Sequence, residues 1–181
     1  MCGIVGLFLK DPKLEPQLGA MLTDMLITMT DRGPDSAGIA IYGRPEKGKA
    51  KLTVQSATPD ADFETLAADL GKAIAAKVTG TAKDTHMVLE LPDDRLDAAR
   101  HALRSLRPNA KVMSAGEGIE IYKEVGLPKD VAARFDVASA AGELVAMTSA
   151  RPCTRPAMQI WFIILASCPA PLSPNRRHIR A

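Results

Sequence analysis

Residues 4–9 (IVGLFL) form an unbroken apolar run that Lys10-Asp11-Pro12 stops abruptly. A run that short, closed by a charged turn, reads as a buried strand. Immediately after it, Leu18, Leu22, Met25 and Met29 recur at helical spacing within residues 14–30, and Met21 and Leu26 widen the same face. A face that broad suits a helix lying on a sheet. Turn-forming residues follow in Asp31-Arg32-Gly33-Pro34-Asp35, then a second strand in GIAIYG, with Ile39 and Ile41 on its buried side. Strand, covering helix and returning strand in the first 43 residues commit the chain to a layered fold that mixes helices with sheet.

The middle of the chain repeats these signals on a smaller scale. Residues 51–56 (KLTVQS) read as a strand. Asp62 is placed to cap a helix whose inward stripe is Phe63, Leu66, Leu70 and Ile74. Residues 87–91 (MVLEL) give another strand, and Asp93 or Asp94 caps a second helix with Leu96, Ala99, Leu103 and Leu106 facing inward. Short strands at 110–113 and 119–122 are expected to close this region as a small open-faced α+β unit, with a short helix at 127–138 leading out of it.

Composition adds one sharp discontinuity. The last acidic residue is Glu143, whereas residues 144–181 contain five arginines, five of the 13 prolines, the only tryptophan, and both Cys153 and Cys168. Elsewhere the chain is ordinary: 46% hydrophobic, 24% charged, with a net charge of +2 that selects no particular partner. An odd number of scattered cysteines and the lack of a secretory signal point to a reducing, cytoplasmic setting. The most apolar stretch, MQIWFIILA at 158–166, is less than half of the roughly 20 residues a membrane helix needs. The tail arginines lack interleaved aromatics apart from Trp161 and Phe162, so neither a membrane nor a nucleic acid is an expected partner. His86, His101 and His178 are isolated in sequence and have no metal-ligand spacing, and His101 reads as a solvated surface residue. Gly116-Glu117-Gly118 is not a dinucleotide loop. No metal or organic cofactor is expected.

The chemistry-bearing candidate is Cys2. Once Met1 is removed, one residue holds a thiol, with a reference pKa of about 8.5, and an α-amine, at about 7.7–8.0. The amine is then neutral enough to serve as general base for its own side chain, which is the pairing used by N-terminal nucleophile enzymes. The bland alternative is a small residue buried for packing. RGPDSAG at 32–38 reads as a support, a tight turn whose Asp35 and Ser36 bond to neighbouring amides and fix the end of the first strand. It is not a serine-hydrolase elbow, because Pro34 stands where that motif requires glycine.

MCGIVGLF, a methionine-rich amphipathic helix and RGPDSAGIAIYG, in that order over residues 1–43, resemble the class II glutamine amidotransferases. GEGIEIYKEVGLPKDVAARF at 116–135 is similar to the glutamate-synthase-like amidotransferase subunits that accompany N-methylglutamate synthase. The resemblance implies an α+β fold, in part a four-layer αββα sandwich of the N-terminal-nucleophile type. It also implies Cys2 as the catalytic nucleophile, glutamine as substrate and a synthase subunit as partner. Residues 1–48 would then be the start of the amidotransferase domain, 49–143 an α+β insertion and 144–181 an aberrant tail.

The resemblance also implies a His-Thr-Arg motif for the substrate carboxylate and an Asn-Gly pair for the oxyanion, and the sequence contains neither. Arg151 and Arg155 lie in the expected neighbourhood but carry no such motif. Their coincidence with the composition break leads to the expectation that residues from about 144 onward are read out of frame, truncating the domain. A catalytically dead or structural relative of the same ancestry, and a small-molecule-binding module centred on the insertion, are the competing readings.

Overall fold

The computed structural model describes residues 3–32, 34–141 and 144–150. Its first sheet is antiparallel, with strand order β1 (Gly3–Phe8), β8 (Leu144–Ala150), β2 (Ser36–Tyr42), β7 (Ile119–Val125). The last strand in sequence thus lies between the first two, pairing Val5 with Met147 on one side and Ile39 with Met147 on the other. The segment in which acidic residues cease therefore begins with a central strand.

Period-two burial in β2 sends Ala37, Ile39 and Ile41 into the core while the residues between them stay half-buried. On that face lies α1 (Leu18–Thr28), whose Leu18, Leu22 and Leu26 are fully buried, and α5 (Pro128–Arg134), with Val131 and Ala132. Leu9, Val88, Tyr122, Phe135 and Val137 complete the buried cluster. On the opposite face of β1, Ile4 and Phe8 are 57% and 60% exposed.

The helix expected over 14–30 begins later than its apolar spacing implies. Residues Pro12–Gln17 form a 3-10 turn, with the Asp11 carboxylate accepting from the Lys13 amide at 3.0 Å. Pro16 disfavours helical geometry at Glu15 and has no N–H to donate, so α-helical pairing starts at Leu18.

The second sheet has the order β4 (Thr79–Lys83), β5 (His86–Pro92), β3 (Lys49–Gln55), β6 (Lys111–Gly116), all antiparallel. With α3 (Leu66–Ile74) before β4 and α4 (Leu96–Leu106) before β6, the topology is the β-α-β-β-α-β split arrangement. Leu52, Val54, Met87, Leu89 and Leu91 pack on Leu66, Leu70 and Ile74 of α3 and on Ala99 and Leu103 of α4.

Three expectations need correction. The stripe from Phe63 to Ile74 is not one helix: α2 (Pro59–Phe63) is separated from α3, and Asp62 caps neither. Its carboxylate instead accepts from the hydroxyls of Ser56 and Thr58, tying the end of β3 to α2. Strand β4 went unread because TGTAK has no apolar alternation; as an exposed edge it needs only its backbone bonds to β5. The Asp84-Thr85 turn of that hairpin is made possible by Asp84 at φ +51°. Finally, the strand around 119–122 does not close the second unit. It crosses to the first sheet as β7 and pairs with β2.

Candidate active site

Cys2 lies outside the described residues, as do Arg151 and Arg155. The described backbone nevertheless fixes where β1 begins. Gly3 pairs with Ser149, Ser149 with Ala37, Ala150 with Ser36, and Ser36 with Val125. The first residue of β1, the end of β8, the start of β2 and the end of β7 therefore share one end of the sheet. At this end the Gly126 amide donates to the Asp35 carbonyl at 2.9 Å, joining the end of β7 to the start of β2. Gly126 has φ +138°, which a side chain would strain, so glycine is needed where β7 turns into α5.

The same corner is held from the second sheet, and here the sequence reading missed a group. His86 is fully buried, and its Nε2 accepts from the Lys123 amide at 3.3 Å. Gln55, its cross-strand neighbour, donates through Nε2 to the Lys123 carbonyl at 3.1 Å. Among the described residues β7 is the edge strand of its sheet, with no further strand to pair these groups. Two side chains of the other sheet satisfy them instead. The Thr85 hydroxyl donates to Glu124 Oε2 at 2.9 Å and lies 3.1 Å from His86 Nδ1.

Aromatic contacts seal this junction. The His86 ring meets Phe135 edge-on at 4.9 Å and Tyr122 at 5.6 Å, while Tyr122 and Phe135 stack at 5.1 Å. Lys83 Nζ sits 5.2 Å over the Tyr122 ring. The Tyr122 hydroxyl donates to Glu120 Oε2 at 2.5 Å, and Lys51 pairs with Glu120 Oε1 at 2.6 Å. Burial pushes the His86 pKa down to about 4, against a smaller upward pull from Glu124. Burial likewise raises Tyr122, reinforced by the Glu120 charge and hydrogen bond. At Glu120 burial raises the pKa, but the bonds from Lys51 and Tyr122 outweigh it and hold the carboxyl below its ordinary value.

The side chains of this cluster bond to one another and to β7, and so join the two sheets. His101, by contrast, is exposed, with Nδ1 2.8 Å from the Asp97 carbonyl, as its place on the polar helix face predicts. Among the described residues no cluster of three or more His, Cys, Asp or Glu is arranged to hold a metal, and no helix is long and apolar enough to cross a membrane. An open cleft of about 340 Å³ beside β4 and β5 brings Lys49, Lys77 and Glu90 together, away from the end of the sheet where β1 begins.

No protein-family model matches the sequence. Over 143 residues, 78% of this chain and 47% of the relative, it is 60% identical to the glutamine amidotransferase-like protein GlxB of Rhizobium meliloti (strain 1021). Over 155 residues, 78% of this chain and 49% of the relative, it is 28% identical to a protein of Methanothermobacter thermautotrophicus (strain Delta H) that is provisionally named a glutamine amidotransferase. The chain spans about half the length of these curated relatives.

Proposed function

We propose that this chain carries the nucleophile-bearing part of a class II glutamine amidotransferase domain, with Cys2 as its N-terminal nucleophile. The observation that carries the reading is the 60% identity to a glutamine amidotransferase-like protein over 143 residues. The place of Gly3 at the end of β1, on the sheet end shared by β2, β7 and β8, is compatible with the reading.

In this mechanism the Cys2 thiol gives its proton to its own α-amine, and the sulfur attacks the side-chain amide carbon of glutamine. The tetrahedral intermediate collapses as the ammonium returns a proton to the leaving nitrogen. Ammonia departs, leaving a glutamyl thioester, and water then attacks that thioester, releasing glutamate and restoring the thiol. The ammonia is passed to a glutamate-synthase-like partner subunit.

Such a site also needs a guanidinium for the substrate carboxylate and preorganised donors for the oxyanion. Neither a His-Thr-Arg motif nor an Asn-Gly pair occurs in the 181 residues, and the loss of acidic residues at 144 falls where the first is expected. The proposal therefore includes a displaced reading frame around β8. Sequencing the gene there is expected to find both motifs in another frame; an intact frame with no such alternative would refute this part.

A second reading, an inactive relative retained for structure, is favoured by the same missing motifs. Measuring ammonia release from glutamine by the wild type and Cys2→Ala separates the two. Release that disappears in the variant supports the amidotransferase, and no release from either supports the inactive relative.

A further inference from the structure

We propose that Gln55 and His86 form a latch that closes the second sheet onto the free edge of β7, and that the latch opens when the His86 ring takes up a second proton. The hydrogen-bond pattern fixes the ring's closed state. The proton of the Thr85 hydroxyl is committed to Glu124 Oε2, so the remaining contact, 3.1 Å from Nδ1, requires Nδ1–H to donate to Thr85 Oγ1. That leaves a bare lone pair on Nε2, aimed at the Lys123 amide. A second proton has only Nε2 to occupy. There it meets the Lys123 N–H donor to donor, and the amide loses its acceptor.

The surroundings oppose that proton without forbidding it. The Tyr122 and Phe135 rings cover the imidazole and exclude water, and burial disfavours its charge. From β7, the Glu124 carboxylate attracts the proton and the Lys123 ammonium belongs to the bonded residue itself. From the β4–β5 hairpin come Lys83, seated over Tyr122, and Asp84, which pairs with Arg134 of α5. Arg134 also approaches Glu124 at 4.0 Å, which weakens the pull of that carboxylate on the ring. The Lys51–Glu120 pair meets the cluster through the Tyr122 hydroxyl and through the attraction between Glu120 and Lys83.

Opening has a defined path outward. Lys123 lies three residues before Gly126, whose amide holds the Asp35 carbonyl. Release of β7 from the second sheet therefore loosens the loop that braces the start of β2. The latch is independent of the nucleophile assigned to Cys2, because its readouts are His86 and Lys123 themselves.

The test is a pH titration of the full chain labelled with 15N in histidine and backbone amides. At pH 7 the His86 ring is expected as the neutral Nδ1–H tautomer, with a titration midpoint more than one unit below its ordinary 6.5. The Lys123 amide shift is expected to follow that midpoint, and its protection from hydrogen exchange, corrected for intrinsic rate, to fall at least tenfold across it. His86→Gln, which keeps an acceptor but cannot titrate, is expected to abolish the transition. If that variant does not fold, the wild-type titration decides alone. An Nε2–H tautomer at pH 7, a midpoint near 6.5, or a Lys123 amide indifferent to the ring would each overturn the latch.

Discussion

Gly19→Ala sets helix propensity against close packing. Gly19 is buried in the first turn of α1, and its amide donates to the Ala140 carbonyl at 3.0 Å. A Cβ built there would stand 2.0 Å from the Val137 carbonyl oxygen and 2.7 and 2.8 Å from the Ala140 oxygen and nitrogen. These are backbone atoms of the turn at Val137–Ser139 and its cap, so no side chain can rotate away. The turn must retreat by about 1 Å, as overpacking costs of about 1–3 kcal/mol imply, and the Gly19–Ala140 bond, worth about 1 kcal/mol, is stretched or lost. Alanine returns about 1 kcal/mol through its helix propensity. The net expectation is a destabilisation of about 2 kcal/mol, or about 4–8 °C in Tm for a domain of this size. Urea denaturation followed by far-UV circular dichroism reads it directly, with Ala20→Gly on the exposed side of the same helix as the control for propensity alone. A Gly19→Ala protein as stable as the wild type, or more so, would show that α1 does not seat against that turn.

Three further outcomes follow from the same packing. His86 has its folded pKa below its unfolded one, so the unfolded chain binds more protons between pH 6.5 and 4 and stability falls as pH is lowered through that window. The fall approaches about 3 kcal/mol by pH 4, and urea midpoints measured across the window should flatten in His86→Gln. Thr53→Val should stabilise the chain by about 1–3 kcal/mol, because the buried Thr53 hydroxyl has no hydrogen-bond partner among the described residues, and a thermal melt showing no gain would refute that. Leu22→Ala, at a fully buried position on α1, should cost about 2–5 kcal/mol in the same denaturation assay.

Elements whose apolar residues repeat with a clear period were legible in the sequence. Ala37, Ile39 and Ile41 mark β2 by alternation, and Leu18 and Leu22 mark α1 by helical spacing. Where backbone chemistry decides, periodicity misled: Pro16 delays α1 although the apolar stripe tolerates an earlier start. Strand β4 is held by its ladder to β5 and displays almost nothing to a core, so TGTAK carried no signal. The sheet to which β7 belongs depends on pairing between Tyr122 and Ile39, which no local window contains. The role of His86 is hidden for the same reason. Its partner Lys123 is 37 residues away, and an isolated histidine gives no hint of a remote amide. Cys2 shows the reverse case: the motif around it is readable, whereas its geometry lies outside the described residues.

The central claim is that the sulfur and nitrogen of Cys2 act together on a carboxamide. Its most direct test is mass spectrometry of the N-terminal peptide after a chain with its reading frame restored beyond residue 143 is incubated with a diazo-ketone analogue of glutamine. The account predicts that Met1 is absent and that one analogue is attached at Cys2, with glutamine in excess protecting the thiol. A retained Met1, or a folded, frame-restored chain whose Cys2 stays unmodified, would contradict it.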